Sequence, residues 1–326
     1  MEIKHIFVIF TKAQELHVNN LISSVNLTDY FKVYTNRSLI SNREISSNEF
    51  VIGINYLFDF FRLKSIIRKN ISGKVSFYTA HFLNVFTQGI YFYLKKNDFL
   101  KNVCIYPDGN LLFNGYKERK WSLGNILRKI KSYLMFSKYV LVNGDICLKF
   151  EQEFKIYSYL PNTRYTSLGN CSIEVIRFGN SQDVFTSLGD DLLILGHYNQ
   201  KVVDHKLIAL SIDHWEESRA NVFYKPHPRR ELAEDSFYSE LKTRIPSIEV
   251  IESNSPIESL LITRSNIGYV FAVASSSLIN LKISNPNIEV YYACLKDYFG
   301  NSYSRVLEEN IVTLGIKELV LQHDKK

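Results

Sequence analysis

The sequence predicts an α/β fold in which two doubly wound lobes face each other across a central cleft. Short apolar segments of strand length alternate with longer helical segments, and this alternation is typical of parallel βαβ units rather than of hairpins. The length of 326 residues exceeds one average domain and favours two. A polar, turn-rich stretch over residues 160–189 interrupts the alternation and indicates the connection between the lobes.

The first lobe is predicted over residues 1–185. Its helices are predicted at Glu15–Val25 and Leu57–Arg68. Within the connecting stretch, Ile173–Phe178 is a further candidate strand. The other strands are predicted at Lys4–Phe10, Phe31–Tyr34, Phe50–Ile54, Val75–Tyr78, Val103–Tyr106 and Tyr139–Val142.

The second lobe is predicted over residues 186–310, where the alternation starts again. A helix at Leu278–Lys282 is predicted after the fourth strand. The last segment, 311–326, contains a predicted helix at Ile316–Gln322 that can cross back onto the first lobe. The strands of this lobe are predicted at Leu192–Leu195, Val222–Tyr224, Ile248–Ile251, Gly268–Ala272 and Ile288–Tyr292.

The composition excludes several classes of protein. Hydrophobic residues make up 46% and charged residues 22% of the chain, which is ordinary globular usage and excludes wholesale disorder. The 39 basic and 33 acidic side chains give a formal net charge of +6. This mild excess suits an anionic partner such as a nucleotide, an acidic glycan or a membrane surface. It falls short of the dense basic stripe that a nucleic-acid binder presents, so no nucleic-acid partner is predicted.

Cysteine usage and hydropathy predict a cytoplasmic protein. The 4 cysteines include no CxxC pair, so neither a zinc site nor a redox motif is indicated. The run Ile6–Phe10 is too short for a signal-peptide core, and no run reaches the ~18 apolar residues of a membrane span. The segment 116–138 mixes basic with aromatic and aliphatic side chains. It suits peripheral binding to the anionic inner face of the membrane or, equally, core packing with a solvated basic face.

The most informative motif is Tyr-Lys-Pro-His-Pro-Arg at residues 224–229. A predicted strand leads directly to His227, and Pro226 and Pro228 fix the backbone around it. A histidine at the carboxyl end of a strand can protonate a leaving group or pair with a phosphate, and Lys225 adds positive charge beside it. The alternative is a surface turn that happens to contain a histidine.

The first lobe offers Asp108, Gly109 and Asn110 after a predicted strand. A carboxylate at this position can accept the proton of a sugar hydroxyl, and the glycine lets a substrate approach the backbone. Pro-Asp-Gly-Asn is also an excellent β-turn sequence, so a structural role stays open. His81 follows another strand and is a candidate for lining the cleft, with a buried structural histidine as the alternative.

Three further candidates follow strands of the second lobe. Ser275 and Ser276 precede a predicted helix, where hydroxyls and free amides form a phosphate site or serve only as a helix cap. Glu258 lies in the first turn of another helix and can accept hydrogen bonds from ribose hydroxyls or be an ordinary helix start. Gly196 ends the first strand and would let a sugar or phosphate approach the backbone.

These motifs resemble those of the bacterial sialyltransferases of GT-B fold, a group that includes lipooligosaccharide and capsular polysialic acid enzymes. The group shares an acidic-acidic-Gly motif, a His-Pro motif and a serine pair, which look like Pro107-Asp108-Gly109, His227-Pro228 and Ser275-Ser276. A family glutamate that binds the ribose precedes the serine pair, as Glu258 does here. The chain departs from the family at Pro107, which stands in place of the first acid, whereas the family's base is the second.

The resemblance implies an inverting transfer of sialic acid from CMP-sialic acid to a hydroxyl of a cell-surface glycan, such as lipopolysaccharide, O-antigen or capsule. Asp108 would be the general base on the acceptor, and His227 would assist the departure of CMP through its phosphate. Glu258 would hold the ribose. The donor phosphate would lie near Ser275, Ser276, Pro228, Lys225 and Gly196, and the acceptor, which can be lipid-linked, near His81, Gly109 and Asn110.

The same resemblance implies no cofactor and no metal. His227, the serine hydroxyls and a helix N-terminus can stabilise the charge that builds on the leaving phosphate. No Asp-x-Asp pair stands at the end of a predicted strand, in agreement with a reaction that needs no metal.

Other functions stay open. A CDP-glycerol or CDP-ribitol phosphotransferase of teichoic-acid type also uses a His-Pro loop and serines on a GT-B-like scaffold, and His81 would supply its second histidine. A glycosyltransferase that uses a different nucleotide sugar fits the same motifs. So does a non-catalytic protein that binds a nucleotide or a glycan.

Overall fold

The computed structural model divides the chain into two compact units, the first of which ends at Arg177. The predicted boundary at 185 lies outside the described residues. The units are described separately. The structure describes residues 2–40, 44–53, 56–82, 84–107, 151, 153–163, 165, 170–177, 189–196, 204–218, 220–227, 235–251, 257, 266–273, 276–293 and 305–319.

The described part of the first unit is built on a sheet of seven parallel strands in the order β3-β2-β1-β4-β5-β6-β7. This is the order of a doubly wound α/β sheet. Its central strands are buried on both faces, as near-continuous apolar runs require. The strands are β1 (His5–Ile9), β2 (Tyr30–Tyr34), β3 (Glu49–Val51), β4 (Val75–Thr79), β5 (Leu100–Ile105), β6 (Phe154–Ser158) and β7 (Cys171–Val175).

Helices α1 (Lys12–Ser24), α2 (Tyr56–Asn70) and α3 (Val85–Lys96) connect these strands, with a 3₁₀ turn at Arg37–Ile40. Two of them begin at side-chain caps, which satisfy amides that have no partner inside the helix. The Thr11 hydroxyl accepts a hydrogen bond from the Gln14 amide at 3.1 Å. The Asn84 side-chain oxygen accepts one from the Phe86 amide at 2.7 Å.

The described part of the second unit repeats the design with six parallel strands in the order β10-β9-β8-β11-β12-β13. The strands are β8 (Asp191–Leu195), β9 (Val222–Lys225), β10 (Glu249–Val250), β11 (Ile267–Ala272), β12 (Glu289–Tyr292) and β13 (Lys317–Glu318). The helices are α4 (Asp204–Ser218), α5 (Ser236–Arg244), α6 (Ser276–Ser284) and α7 (Arg305–Thr313).

The structure confirms the α/β class and every predicted strand that falls on described residues, including the candidate strand in the connecting stretch, which forms β7 at the edge of the first sheet. The strand β6 was not predicted at all. The predicted strand Tyr139–Val142 lies outside the described residues.

The predicted helix Ile316–Gln322 is wrong over its described residues, because the chain forms β13 there. The preceding helix α7 ends at Thr313. Gly315, just beyond it, has a φ of +68°, which suits a residue without a Cβ. The Gly315 amide donates to the Val312 carbonyl at 3.0 Å and the Ile316 amide to the Ile311 carbonyl at 3.1 Å. This pair of bonds is a Schellman ending, which turns the chain out of the helix before Lys317.

Among the helices that the structure describes, none is both long enough and apolar enough to cross a lipid bilayer.

Candidate functional site

The carboxyl edge of the second sheet brings together four of the predicted site positions, which are Gly196, Lys225, His227 and Ser276. In the register of the sheet, Leu195 of β8 pairs with both Lys225 of β9 and Ala272 of β11. Gly196 therefore follows the central strand β8. On one side of it β9 leads to His227, and on the other side β11 leads to α6. The strand order reverses between β8 and β11, and open α/β sheets bind their ligands in the crevice at such a reversal.

Gly196 allows a close approach between the ends of β8 and β9. Its amide donates a hydrogen bond to the Lys225 carbonyl at 2.8 Å. A Cβ atom at this position would lie 2.4 Å from the Tyr224 hydroxyl oxygen and 3.0 Å from the His227 backbone nitrogen. Packing alone thus requires a glycine here, and the approach of a phosphate to this backbone stays a prediction.

Lys225 and His227 differ in their exposure. Lys225 ends β9 and is only 7% exposed, so its positive charge is held close to the sheet. His227 is two residues further on and half-buried. A basic residue and a half-buried histidine at the end of one strand are suited to an anionic ligand. Pro228 lies outside the described residues.

The N-terminus of α6 lies at the same edge. The buried residue Val273 follows β11, and α6 begins at Ser276. The first amides of a helix have no partner inside it, so they attract anions. The backbone of Ser276 begins this helix, and a phosphate contact there stays a prediction, while its side chain, Ser275 and Glu258 lie outside the residues whose side chains are described.

The carboxyl edge of the first sheet carries His81 beside Phe10. The two rings are stacked, with centroids 4.7 Å apart and planes 17° apart, and both residues are half-buried. The Thr79 hydroxyl donates to the His81 carbonyl at 2.8 Å and fixes the turn after β4. No local pattern marks Phe10 as a neighbour of His81, because only the pairing of β1 with β4 brings the two rings together.

The strand that leads to Asp108 ends at this same edge. Thr79 of β4 pairs with Ile105 of β5, so His81 and Pro107 occupy equivalent positions two residues further along neighbouring strands. The Tyr106 hydroxyl donates to the Val8 carbonyl at 2.6 Å and anchors the end of β5 against β1. Asp108, Gly109 and Asn110 lie outside the described residues, and their predicted roles stay predictions.

Within the described ranges, no group of three or more histidine, cysteine, aspartate or glutamate side chains is arranged to hold a metal ion. The positively charged and helix-terminal groups at the edge of the second sheet offer an anion site instead.

Comparison with known structures shows the fold. An alpha/beta-galactoside alpha-2,3-sialyltransferase from the luminous marine bacterium Photobacterium phosphoreum is 14% identical, with all of both chains covered and a TM-score of 0.60. A UDP-GlcNAc 2-epimerase from Methanocaldococcus jannaschii is 13% identical, with 98% of this chain and 89% of that chain covered and a TM-score of 0.56. A UDP-N-acetylglucosamine 2-epimerase from Rickettsia bellii is 10% identical over 96% of this chain and 88% of that one, with a TM-score of 0.55. At these identities the likeness establishes the two-lobed GT-B architecture alone.

Comparison with protein families shows the relationship. No curated protein sequence matches the chain. The family model "Alpha-2,8-polysialyltransferase (POLYST)" matches residues 5–294, which span both units. The chain therefore belongs to the alpha-2,8-polysialyltransferase family and is a glycosyltransferase of GT-B fold.

Proposed function

We propose that the protein is an inverting sialyltransferase that uses CMP-sialic acid as donor and a hydroxyl of a cell-surface glycan as acceptor, without a metal ion. The observation that carries this proposal is the edge of the second sheet, where Lys225 ends β9, His227 comes two residues later and the N-terminus of α6 follows β11, on either side of the central strand β8. The phosphodiester of CMP-sialic acid is an anion that such an edge is suited to bind.

The proposed reaction needs a base for the acceptor proton and a group that stabilises the leaving phosphate. The acceptor oxygen attacks the anomeric carbon of sialic acid from the face opposite CMP, its proton passes to a base, and the bond between the anomeric carbon and the phosphate oxygen breaks. By the family resemblance, Asp108 takes the proton. His227 and the α6 amides stabilise the negative charge that gathers on the departing phosphate.

The remaining predicted contacts divide between donor and acceptor. Glu258 is proposed to accept hydrogen bonds from the ribose, and Ser275 with Ser276 to donate to the phosphate. His81 lies at the edge that leads to Asp108, so we assign it to the acceptor side. The acceptor belongs to lipopolysaccharide, O-antigen or capsule in this proposal, and the enzyme would act in the cytoplasm at the inner face of the membrane, with the basic segment 116–138 as its contact.

The test is release of CMP from CMP-sialic acid by the purified protein in EDTA, with and without lactose or sialyl-lactose. We expect release that the acceptor stimulates and that Asp108→Asn reduces by roughly 10²- to 10⁴-fold, because the amide keeps the shape of the carboxylate but accepts no proton. Asp108→Asn should still bind CMP. Loss of release in EDTA that Mg²⁺ or Mn²⁺ restores would overturn the metal-independent mechanism.

A thermal-shift comparison of CMP, CDP, UDP and GDP tests the donor class separately. A ligand at a hundredfold excess over its Kd stabilises the native state by about 2.7 kcal/mol. We expect CMP to give the largest shift. A larger shift with CDP, together with no release of CMP, would favour a CDP-glycerol or CDP-ribitol phosphotransferase, for which the placement of His81 at a strand end is the supporting observation. A larger shift with UDP or GDP would favour another nucleotide sugar.

A further inference from the structure

Tyr224 and Asp235 form a hydrogen bond across the segment that contains His227. The Tyr224 hydroxyl donates to the Asp235 Oδ2 atom at 2.5 Å, and both residues are fully buried. Tyr224 belongs to β9, three residues before His227, and Asp235 immediately precedes α5. The bond therefore joins the end of the strand directly to the start of the next helix.

Asp235 serves the helix as well as the tyrosine. Its Oδ1 atom accepts a hydrogen bond from the Tyr238 amide at 3.4 Å, and its backbone carbonyl accepts one from the Ser239 hydroxyl at 3.1 Å. A carboxylate is favoured at this position, because the amides at a helix N-terminus carry partial positive charge. One buried carboxylate thus holds the helix with one oxygen and Tyr224 with the other.

The ring of Tyr224 is held on several sides. It stacks on the ring of Tyr238 with centroids 5.3 Å apart and lies 5.8 Å from the ring of Phe237. Its hydroxyl oxygen lies 2.4 Å from the place that a Cβ of Gly196 would take, and the His227 amide nitrogen lies 3.0 Å from that same place. The tyrosine hydroxyl and the His227 backbone therefore pack against the same residue.

Packing alone does not account for this pair. A phenylalanine at position 224 would fill nearly the same volume, and an uncharged cap such as serine would begin α5 without burying a carboxylate. Burial of a carboxylate costs free energy unless hydrogen bonds compensate it. What the hydrogen bond adds is a fixed distance between the two ends of the segment that carries His227.

We propose that Tyr224 and Asp235 are positioning residues for His227, because their hydrogen bond holds the backbone on which the imidazole meets the leaving phosphate. The pair acts through the main chain and touches no substrate. The inference rests on the proposed function, since the departure of CMP is the step that it affects.

The experiment compares Tyr224→Phe with Tyr238→Phe. Both variants lose one hydroxyl from the same stacked pair of rings, and only the first loses the bond to Asp235. We expect Tyr224→Phe to lower kcat for CMP release by at least about tenfold with little change in the donor KM, because misplacement of a catalytic group by an ångström can cost about a hundredfold. Tyr238→Phe should stay within twofold of the wild type.

A double-mutant cycle makes the test specific. Asp235→Asn retains a good helix cap but cannot accept at both oxygens. If the two residues act as one unit, the double variant Tyr224→Phe/Asp235→Asn should be no slower than the slower single variant. A kcat of Tyr224→Phe within twofold of the wild type, measured well below its Tm, would overturn the proposal.

Failure of the proposed function would be recognised separately, because the wild type itself would then release no CMP. In that case hydrogen exchange in the peptide 224–235 decides the matter. Exchange that is faster in Tyr224→Phe than in the wild type and in Tyr238→Phe supports the positioning role, and equal exchange in all three overturns it.

Discussion

The Nδ1 atom of His17 lies 2.8 Å from the phenolic oxygen of Tyr159, and both side chains are buried. The contact joins α1 to the chain that follows β6, so it connects two elements that are far apart in sequence. Burial lowers the pKa of His17 from 6.5 to about 4, because an imidazolium would lose its hydration there.

This histidine should make stability depend on pH. Between pH 6.5 and about 4 the unfolded state binds a proton at His17 that the folded state does not bind, so the free energy of unfolding falls as the pH is lowered through this window. Across the whole window the free energy of unfolding falls by roughly 3 kcal/mol, because each pH unit of the pKa difference is worth about 1.4 kcal/mol. Urea denaturation from pH 4 to 7.5 measures the effect, and His17→Gln should flatten the dependence.

The half-buried His214 provides the control. Burial against Tyr269 and Phe271 also lowers its pKa, so His214→Gln should flatten the pH dependence less than His17→Gln does. Equal slopes for His17→Gln and the wild type would show that His17 is not the group that titrates.

Gly268 should tolerate no side chain. A Cβ atom at this position would lie 1.7 Å from the Gly189 carbonyl oxygen, which belongs to the backbone and cannot rotate away. Overpacking costs about 1–3 kcal/mol in ordinary cores, and we expect Gly268→Ala to reach or exceed the upper end of that range in urea denaturation. Gly73→Ala is the matched substitution, because nothing lies within 4 Å of its Cβ position. Equal midpoints for the two variants would contradict the close approach.

The sheets could be predicted from the sequence where strands are buried on both faces. The segments around β1, β8 and β11 are continuous apolar runs, and such runs form the interior of parallel sheets. The strand β6 was not predicted from the sequence because Lys155 interrupts its apolar run. That lysine is accommodated by an ion pair with Glu174 of the neighbouring β7, a partner that only the tertiary pairing supplies.

The edge strand β13 could not be predicted from the sequence for a related reason. Its two residues, Lys317 and Glu318, are both exposed, so no apolar pattern marks them. The strand is held by pairing with β12 and by the Lys317 ammonium, which lies 2.7 Å from the Glu289 carboxylate. Neither contact can be predicted from the residues near Lys317 in the sequence, because both depend on the tertiary pairing with β12.

In the candidate site, too, some positions could be predicted from the sequence and others depend on tertiary contacts. The placement of Lys225, His227 and Gly196 at one edge could be predicted because each comes at the end of an apolar run, and parallel strands end at one edge; their roles stay predictions. Asp235 could not, since its bond to Tyr224 spans eleven residues and depends on where α5 begins. Phe10 was missed because its contact with His81 depends on strand order.

Cys104 should be unreactive in the native protein. The thiol is 1% exposed, and burial raises its pKa to about 12, so almost none of it is the thiolate that attacks alkylating agents at neutral pH. We expect no maleimide labelling of Cys104 at pH 7.5 in the native state and complete labelling in urea, as measured by mass spectrometry. The partly exposed Cys171 should label faster. Rapid native labelling of Cys104 would contradict its placement in the first sheet.

His227 and His81 should affect different kinetic constants. His227 is proposed to act on the departing phosphate, so His227→Ala should lower kcat by roughly 10²- to 10⁴-fold. The residue is half-buried, so we expect the Tm to change little. His81 is stacked on Phe10 at the edge of the other sheet, where we assign the acceptor, so His81→Ala should chiefly raise the acceptor KM. CMP release at varied acceptor concentration, with a melting curve for each variant, separates the two effects.

A loss of activity in His227→Ala that merely follows its loss of Tm would make this histidine a structural residue, and the leaving phosphate would then depend on Lys225 and the N-terminus of α6.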